Sequence, residues 1–318
     1  MKVLLVCDRA NWAYDAIARA LVKHNPDRDL ELDVLHLKGD TDRLRAVWRD
    51  YDGTFVLGWQ LLGQLGWRVK QLLDFLEPNS TITGIHSHHS FDGRRTQPDH
   101  GVPPPRKLVR FLARYRGVNA VSRRLAELFR DAGLEKVAYT PNGVDIELFR
   151  PRREVGTDET LRVGFSGSKK HDWRKGISEV IEPAAGLPGV ELRLAMPAEG
   201  SYVPLEEMPA FYNELDVYVC ASSSEGFSLS VLEAAASGRP IVSTRVGGSE
   251  DLIEDGVNGF LVDRDVAAIR EKLELLAANR DLARAMGAAN RRIVEERWSW
   301  QARTPAWTTF IRRSLEQA

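Results

Sequence analysis

The chain has 318 residues, of which 43% are hydrophobic and 28% are charged, and its formal net charge at pH 7 is -1. This is the composition of a globular protein, and the length predicts two domains of roughly 150 residues. The balanced charge argues against a globally basic nucleic-acid-binding protein. Cys7 and Cys220 lie in different halves of the chain, which argues against a disulfide framework.

Apolar stretches of the sequence are short. The first one ends at Cys7 and is too short for the hydrophobic region of a signal peptide. No uninterrupted stretch reaches the ~18 residues that a membrane span needs. We therefore expect a cytoplasmic protein, with a peripheral position on the inner face of the membrane as the alternative.

Strand and helix patterns alternate along the first half. A continuous apolar run predicts a buried strand at 3–7, and alternation predicts a strand at 31–37. Further strands are predicted at 53–57, 81–86, 119–122 and 137–140. Amphipathic spacing predicts helices at 12–23, 43–48, 61–76 and 122–131, and a basic helix at 106–116 after three prolines.

The second half repeats this rhythm. Strands are predicted at 161–166, 190–195, 217–220 and 240–244, with helices between them and two helical stretches over 281–318. Strands that alternate with helices predict parallel sheets with right-handed crossovers, and two such sheets predict two Rossmann-like domains. A polar stretch at 151–159 divides the chain into domains at 1–150 and 151–299.

The segment 221–234 carries the strongest chemical signal. It follows a predicted strand, and ligands of open α/β sheets bind at the carboxyl ends of strands. Gly226 permits a tight turn before a helix whose first amides would be free to bind a phosphate. Glu225 precedes this helix and Glu233 lies about two turns along it, so the two carboxylates suit two hydroxyl-bearing parts of one ligand. Alternatively, Glu233 belongs to a capping box with Ser230 and Glu225 is a solvated loop residue.

The surrounding sequence favours the ligand-binding interpretation. Further blocks follow a common order: VS at 121–122, TPNGVD at 140–145, FRP at 149–151, AAASGRPIV at 234–242, GGSE at 247–250, DGVNGFLV at 255–262 and WSW at 298–300. Together they cover about residues 80–305 and resemble the family 4 glycosyltransferases, also described as glycosyl transferases group 1, a large retaining GT-B family.

This resemblance implies two Rossmann-like domains facing a cleft, an acceptor-side domain and a donor domain. It implies that the last helix, about 300–318, crosses back to the first domain. The implied activity is that of a retaining, metal-independent, hexosyltransferase-type enzyme. Such an enzyme moves a sugar from a nucleoside-diphosphate sugar, its co-substrate, to a hydroxyl acceptor and needs no cofactor. The acceptor would be a glycan, a lipid-linked molecule or a small molecule.

The resemblance also implies the roles of donor-site residues. Glu225 matches the glutamate that contacts the transferred sugar, and Glu233 the one that binds the ribose hydroxyls. The turn whose amides meet the sugar and diphosphate corresponds to Gly226, Phe227, Ser228 and Leu229. Ser228 stands where the family usually has glycine, so the clearance for the sugar departs from the family pattern there.

A basic segment, 167–176, would neutralise the diphosphate. Lys175 matches the family's diphosphate-binding lysine. After Gly167 the family has an arginine, whereas this chain has Ser168. The second positive charge is then left to one of three residues: Lys169, Lys170 or Arg174. Without the resemblance, this segment would be interpreted as a solvated basic loop.

The first half contributes His86, which matches a family histidine near the donor sugar and the acceptor. His88, His89 and His100 raise the question of a metal site. No cysteine or second set of ligands accompanies these histidines, so we expect no bound metal.

The acceptor side departs from the family. Paired glycines are usual after the first strand, whereas this chain has Asn11, Trp12 and Tyr14 there. Trp12 or Tyr14 could stack on an acceptor sugar, or both could form the buried face of the following helix. The basic helix at 106–116 also has two interpretations, a domain helix with a charged outer face or a peripheral contact with anionic lipid.

Two other functions are compatible with these departures. Ser168 and the missing glycine pair would also suit a non-catalytic sugar-nucleotide-binding relative or a partner subunit. A third alternative is a GT-B enzyme without an acceptor, such as an epimerase. We expect the loop after Ala195, at 196–205, to recognise the nucleobase.

Overall fold

The computed structural model of the chain describes residues 1–38, 41–88, 102–156, 158–196, 203–204 and 206–316. Its contacts divide the chain into two compact units. Of the described residues, the first unit contains those up to Gly143 and those from Trp300 onward, and the second contains Val144–Ser299. This division comes earlier than the predicted boundary at residue 150, because Val144 and Phe149 are buried in the core of the second unit.

The first unit is built on a parallel sheet of six strands in the order β2-β1-β3-β6-β7-β8, with a separate antiparallel hairpin, β4-β5. The strands are β1 Lys2–Cys7, β2 Glu31–His36, β3 Gly53–Val56, β4 Gly63–Leu65, β5 Val69–Gln71, β6 Thr81–Ile85, β7 Gly117–Ala120 and β8 Val137–Tyr139. The helices up to the second unit are α1 Ala13–Lys23, α2 Thr41–Val47, α3 Trp59–Leu62, α4 Arg106–Leu112 and α5 Arg123–Asp131. The prediction of a parallel α/β sheet is confirmed.

The helix predicted at 61–76 is wrong. Helix α3 ends at Leu62, and the chain then forms the β4-β5 hairpin, in which Gly63 pairs with Gln71. A Cβ atom at Gly63 would lie 3.0 Å from the carbonyl oxygen of Lys70, so the two hairpin strands approach where there is no side chain. Glycine is also a weak helix former, and Gly66 lies in the hairpin turn.

Helix α4 is shorter than the basic helix predicted at 106–116, since it ends at Leu112. Its apolar residues, among them Leu108 and Phe111, are buried, whereas Arg106 and Arg110 are exposed. This arrangement is that of a domain helix with a charged outer face. Across the described part of the chain, the helices lack the combination of length and apolar character that a bilayer span requires.

The second unit contains a parallel sheet of five strands in the order β10-β9-β11-β12-β13. The strands are β9 Leu161–Ser166, β10 Val190–Ala195, β11 Val217–Cys220, β12 Ile241–Thr244 and β13 Gly259–Val262. The helices are α6 Asp172–Lys175, α7 Glu182–Ala185, α8 Met208–Glu214, α9 Leu229–Ala236, α10 Gly248–Leu252, α11 Val266–Ala278 and α12 Arg280–Arg297. Strand β13 was not predicted from the sequence.

The last helix, α13 Trp300–Glu316, belongs to the first unit. Trp307 on this helix is fully buried, lies 6.1 Å from the ring of Phe55 in β3, and donates from its indole nitrogen to the carbonyl oxygen of Pro141. The implied return of the C-terminal helix to the first domain is confirmed.

Each sheet has a point where the strand order reverses. In the first unit β1 lies between β2 and β3, and in the second unit β9 lies between β10 and β11. At such a point the loops that follow the two central strands diverge to opposite faces of the sheet and leave a crevice. In the second unit, the crevice is formed by the loops after Ser166 and Cys220.

Candidate functional site

Two loops meet at the crevice of the second unit. One follows β9 through Gly167 to α6 Asp172–Lys175, and the other follows β11 and leads into α9 Leu229–Ala236. The amide of Ser223 donates to the carbonyl oxygen of Arg174 at 2.7 Å, and Arg174 Nη1 donates to the carbonyl oxygen of Ser224 at 2.9 Å. These bonds bring together residues about 50 positions apart in the sequence.

The Glu225 carboxylate lies at the centre of these loops and is 8% exposed. Lys175 Nζ donates to its Oε1 at 2.6 Å, and Ser222 Oγ donates to the same oxygen at 2.8 Å. Arg174 Nη1 lies 3.2 Å from Oε2. Glu225 is therefore a buried, doubly ion-paired residue rather than a solvated loop residue.

This environment keeps Glu225 ionised. Burial alone would raise the pKa of the carboxyl, but the charges of Lys175 and Arg174, with hydrogen bonds from Lys175 and Ser222, lower the pKa to about 2. Two cations and one carboxylate leave one excess positive charge at the end of the crevice. Such a charge suits the binding of an anionic group.

Arg174 is the member of the three predicted alternatives that contacts Glu225 and lies directly before Lys175. Lys169 and Lys170 are exposed. The amide of Gly167 donates to the carbonyl oxygen of Ala195 at 3.1 Å, so the chain continues the β9-β10 pairing beyond Ser166 before it turns. Ser168 then accepts a backbone hydrogen bond that starts the short helical turn.

Helix α9 points its amino end into this loop region. Ser228 precedes the helix, but its hydroxyl contacts the Ser230 hydroxyl at 3.1 Å and does not cap a backbone amide. The first amides of an α-helix have no partner within the helix, so an amino end without a side-chain cap suits the binding of a phosphate. The turn before the helix is fixed by a bond from the Gly248 amide to the Gly226 carbonyl and by the Phe227 ring, 5.5 Å from Trp298.

Glu233 is partly buried and lies two turns along α9, and its Oε2 accepts a hydrogen bond from the Tyr212 hydroxyl at 2.8 Å. The Tyr212 hydroxyl also lies 3.1 Å from Ser166 Oγ, at the end of β9. Burial raises the pKa of Glu233 to about 7, although the bond from Tyr212 opposes the shift. The capping box with Ser230 does not form, because Ser230 lies inside the helix.

His86 lies in the first unit, directly after β6. Its ring packs edge-on against Tyr14, with ring centres 4.9 Å apart. Burial lowers the pKa of His86 to about 4, and a hydrogen bond with the Leu57 backbone only partly offsets this. The imidazole is therefore neutral at pH 7. Its Nε2 atom is buried and makes no hydrogen bond among the described residues.

The two aromatic residues of the first loop have different environments. Trp12 is 54% exposed, and the Arg9 guanidinium stacks 3.8 Å from its ring centre. Tyr14 is half-buried against His86. Asn11 has a left-handed backbone, with φ of 56°, and its amide donates to Asp15 Oδ2 at 2.8 Å. Trp12 is thus open to a ligand, whereas Tyr14 forms part of the unit's interior.

No metal centre is evident in the parts of the chain that the structure describes. His88 is buried, and His89 and His100 lie outside the described residues, as does most of the predicted base-recognition loop at 196–205. Over the described ranges, histidine, cysteine, aspartate and glutamate do not form a group of three that could hold a metal ion.

Residues that contact the predicted ones were missed from the sequence. Ser222 binds Glu225 from three positions upstream, within the serine run that begins the segment. Tyr212 binds Glu233 from a separate helix, and no sequence signal marked it. Arg264 donates to the carbonyl oxygen of Ala221 at 2.9 Å, beneath the same loop.

Comparison with known proteins bears on these residues. The family model described as "Glycosyl transferases group 1" matches residues 163–279. This segment belongs to the group 1 glycosyltransferases. It contains both loops of the crevice, the Lys175–Glu225 pair and Glu233. The recognition made from the sequence is therefore confirmed.

Curated proteins similar to the chain include a D-inositol 3-phosphate glycosyltransferase of Segniliparus rotundus, 28% identical over 80% of this chain and 65% of that protein. Another is a GDP-mannose-dependent alpha-(1-6)-phosphatidylinositol monomannoside mannosyltransferase of Mycolicibacterium smegmatis. It is 37% identical over 36% of this chain and 33% of that protein. The chain thus spans less than two thirds of the length of these relatives.

Solved structures similar to the chain have the GT-B fold. Sucrose-phosphate synthase from Thermosynechococcus elongatus gives a TM-score of 0.73 at 15% identity, over 100% of both chains. Anabaena HepE in complex with UDP and glucose gives a TM-score of 0.67 at 18% identity, over 99% of this chain and 98% of that one. At these identities the likeness establishes the fold, and the prediction of two Rossmann-like domains of the GT-B type is confirmed.

Proposed function

We propose that the chain is a retaining glycosyltransferase that moves a sugar from a nucleoside-diphosphate sugar to a hydroxyl acceptor. The observation that carries this proposal is the cluster of Arg174, Lys175 and Glu225 beside the uncapped amino end of α9. It combines an excess positive charge and helix amides with a carboxylate that is ionised at neutral pH. The names of the relatives, which include a GDP-mannose-dependent enzyme and a protein complexed with UDP and glucose, support the proposal.

In this proposal the diphosphate binds to Lys175, Arg174 and the first amides of α9. Negative charge grows on the diphosphate as the bond to the sugar breaks, and fixed cations stabilise that charge. Removing one such donor typically costs about 3 kcal/mol of transition-state stabilisation. Because these groups supply the charge, the diphosphate does not require a metal ion, and the proposed enzyme uses no cofactor.

Transfer proceeds by front-side substitution. The acceptor oxygen forms a bond to the anomeric carbon on the face from which the diphosphate leaves, and the acceptor proton passes to the departing phosphate oxygen. Glu225 stabilises the positive charge that develops at the sugar. The protein then contributes positioning and electrostatics, and no covalent intermediate forms.

Glu233 is proposed to accept hydrogen bonds from the ribose hydroxyls. The Tyr212 hydroxyl occupies one side of the carboxylate and fixes its orientation. His86 is proposed to act beside the sugar and acceptor as a neutral hydrogen-bonding group, since its pKa lies well below 7. Trp12, with Asn11 and Tyr14 beside it, is proposed to contribute to acceptor binding, because its exposed ring can stack on a sugar.

The test starts with donor identity. Purified protein is screened by thermal shift against UDP, GDP, ADP and dTDP sugars, and the donors that stabilise it are assayed for hydrolysis and transfer. Glu225→Gln is expected to lower turnover by at least about a hundredfold. The control, Glu271→Gln, alters an exposed glutamate of the same unit and should leave turnover unchanged.

Each outcome has a defined meaning. Stabilisation by a donor without any turnover would favour the non-catalytic sugar-nucleotide-binding relative or partner subunit. Turnover without an acceptor, giving an isomer of the donor, would favour an epimerase. A β-linked product from an α-linked donor would refute retention.

The membrane alternative concerns helix α4. Its apolar residues lie in the core of the first unit, which supports packing within the protein instead of insertion into lipid. We propose a cytoplasmic enzyme and expect no co-sedimentation with anionic vesicles at low salt. If the wild-type chain does bind these vesicles, and Arg106→Glu and Arg110→Glu abolish the binding, the helix makes a peripheral contact with the membrane.

A further inference from the structure

Arg264 is buried beneath the crevice of the second unit. It follows β13 by two positions, and its side chain is 1% exposed. Its Nε donates to the carbonyl oxygen of Ala221 at 2.9 Å, and its Nη2 donates to the carbonyl oxygen of Trp173 at 3.4 Å. One guanidinium thus joins two loops that come from different strands of the sheet.

The two carbonyl groups lie next to the residues that hold Glu225. Ala221 directly precedes Ser222, whose hydroxyl binds the Glu225 carboxylate. Trp173 directly precedes Arg174, which contacts the other oxygen of that carboxylate. A shift of either carbonyl would therefore move a group that binds Glu225.

The backbone at Gly176 leaves room for the Arg264 guanidinium. Gly176 has a left-handed φ of 68°, and a Cβ atom there would lie 2.9 Å from Arg264 Nη2 and 2.8 Å from the Ala221 carbonyl oxygen. The loop that carries Lys175 can approach the guanidinium only because residue 176 has no side chain. Close packing of this kind transmits a displacement at Arg264 directly to the loop.

Glu179 is an acidic partner of Arg264 beside this contact. Glu179 Oε2 lies 3.3 Å from both Nη1 and Nη2, and the glutamate is 63% exposed. The contacts of the guanidinium with Ala221 and Trp173 are made to neutral carbonyl groups. A planar fork of donors can bind two carbonyls and a carboxylate at fixed angles, whereas a lysine ammonium on a flexible chain cannot reproduce that geometry.

We infer that Arg264 is a positioning residue that sets the distance between the Lys175 loop and the Glu225 loop. It touches neither the proposed donor nor the reacting atoms. It acts by fixing the Ala221 and Trp173 carbonyls, so that Lys175, Arg174 and Ser222 all reach one carboxylate. The inference deepens the proposed function, and it rests on that function wherever donor binding is concerned.

A first test needs no ligand. Lys175→Met, Glu225→Gln and the double variant are made in the wild-type chain and in the Arg264→Met chain, and the Tm of each is measured at pH 7. The coupling is the difference between the change in Tm of the double variant and the sum of the two single changes. Close charged pairs couple strongly enough to shift Tm by about 5 °C at this chain length. Arg264→Met should reduce this non-additive shift by at least half.

The matched control is Arg239→Met. Arg239 is also buried and also donates to carbonyl groups, those of Ser237, Leu215 and Arg153, and over the described residues its side-chain hydrogen bonds do not include the crevice loops. Its substitution should lower Tm without changing the coupling. Equal coupling in the wild-type, Arg239→Met and Arg264→Met backgrounds would overturn the inference and leave Arg264 a structural residue only.

A second test uses the donor nucleotide that the thermal-shift screen identifies. Arg264→Met should weaken its binding by roughly ten- to a hundredfold, Arg264→Lys by less, and Arg239→Met not at all. If no nucleotide binds the wild-type chain, the proposed function fails, and the coupling test still decides the inference. If Arg264→Met does not fold, Arg264→Lys replaces it in the coupling test, with a smaller loss of coupling expected and unchanged coupling again refuting the inference.

Discussion

Glu225 makes the most quantitative prediction about the stability of this chain. The carboxyl of an ordinary glutamate has a pKa of 4.5, and in the folded protein the value falls to about 2. This lowering of the pKa corresponds to about 3 kcal/mol of stability. Since Glu225 is 8% exposed, screening by solvent reduces this figure little.

The sign follows from the direction of the shift. A carboxyl whose pKa is lower in the folded state stabilises the fold above its unfolded pKa, and this contribution is lost as the pH falls through the folded pKa. The Glu225 contribution should therefore be complete at pH 7, fall to about 1.5 kcal/mol at pH 3, and nearly vanish at pH 2.

The assay is chemical denaturation of the wild-type chain and Glu225→Gln at several pH values between 7 and 2. Other titrating groups affect both proteins alike, so the difference in unfolding free energy isolates Glu225. We expect the difference to shrink by about 2 kcal/mol between pH 7 and pH 3. Glu271→Gln, on an exposed glutamate, should show no such slope. A constant difference across this range would refute the ion-pair account of Glu225.

Three further predictions concern other parts of the chain. Burial raises the pKa of Glu233 to about 7, above its ordinary value, so its ionised form costs stability at high pH. Glu233→Gln should therefore raise Tm at pH 8 but not at pH 4, and an equal shift at both values would contradict this. Gly247 has φ of 43°, and a Cβ atom there would lie 2.3 Å from the backbone carbonyl oxygen of Glu225. Gly247→Ala should therefore lower the free energy of unfolding by more than about 2 kcal/mol in denaturant titrations. Gly256→Ala, at φ of 79° with nothing within 4 Å, should cost only about 1 kcal/mol. Trp307→Phe removes a buried hydrogen bond to a backbone carbonyl and should lower stability by about 1–3 kcal/mol, whereas Trp67→Phe, at a position 83% exposed, should have no effect on Tm.

Regular elements were predictable where periodicity was strong. The parallel strands, such as β1 and β11, are continuous apolar runs because both faces of each sheet are covered. The prediction failed at 61–76, where an apolar stretch with helical spacing forms the β4-β5 hairpin. There the close approach of Gly63 to the backbone of Lys70 decides the structure, and a contact of that kind is not visible in local periodicity.

The candidate site was predictable only in part. Order and spacing of motifs identified Glu225, Glu233 and Lys175 in the sequence. They did not indicate that Lys175 binds Glu225 directly, nor that Arg174, instead of Lys169, is the second cation at that carboxylate. Such pairings depend on where two loops meet at the edge of a sheet.

The sequence by itself determined the class of fold, the alternation of strands and helices, and the segment that contains the candidate site, because these follow from local patterns of hydrophobicity and motif order. The tertiary structure decided the ionisation of that segment. The Glu225 pKa is low because Lys175 and Arg174 reach it from the helix that follows another strand, and the Glu233 pKa is high because the carboxyl is buried. Charge states depend on distance and burial, which residues far apart in the chain establish only once the sheet has formed.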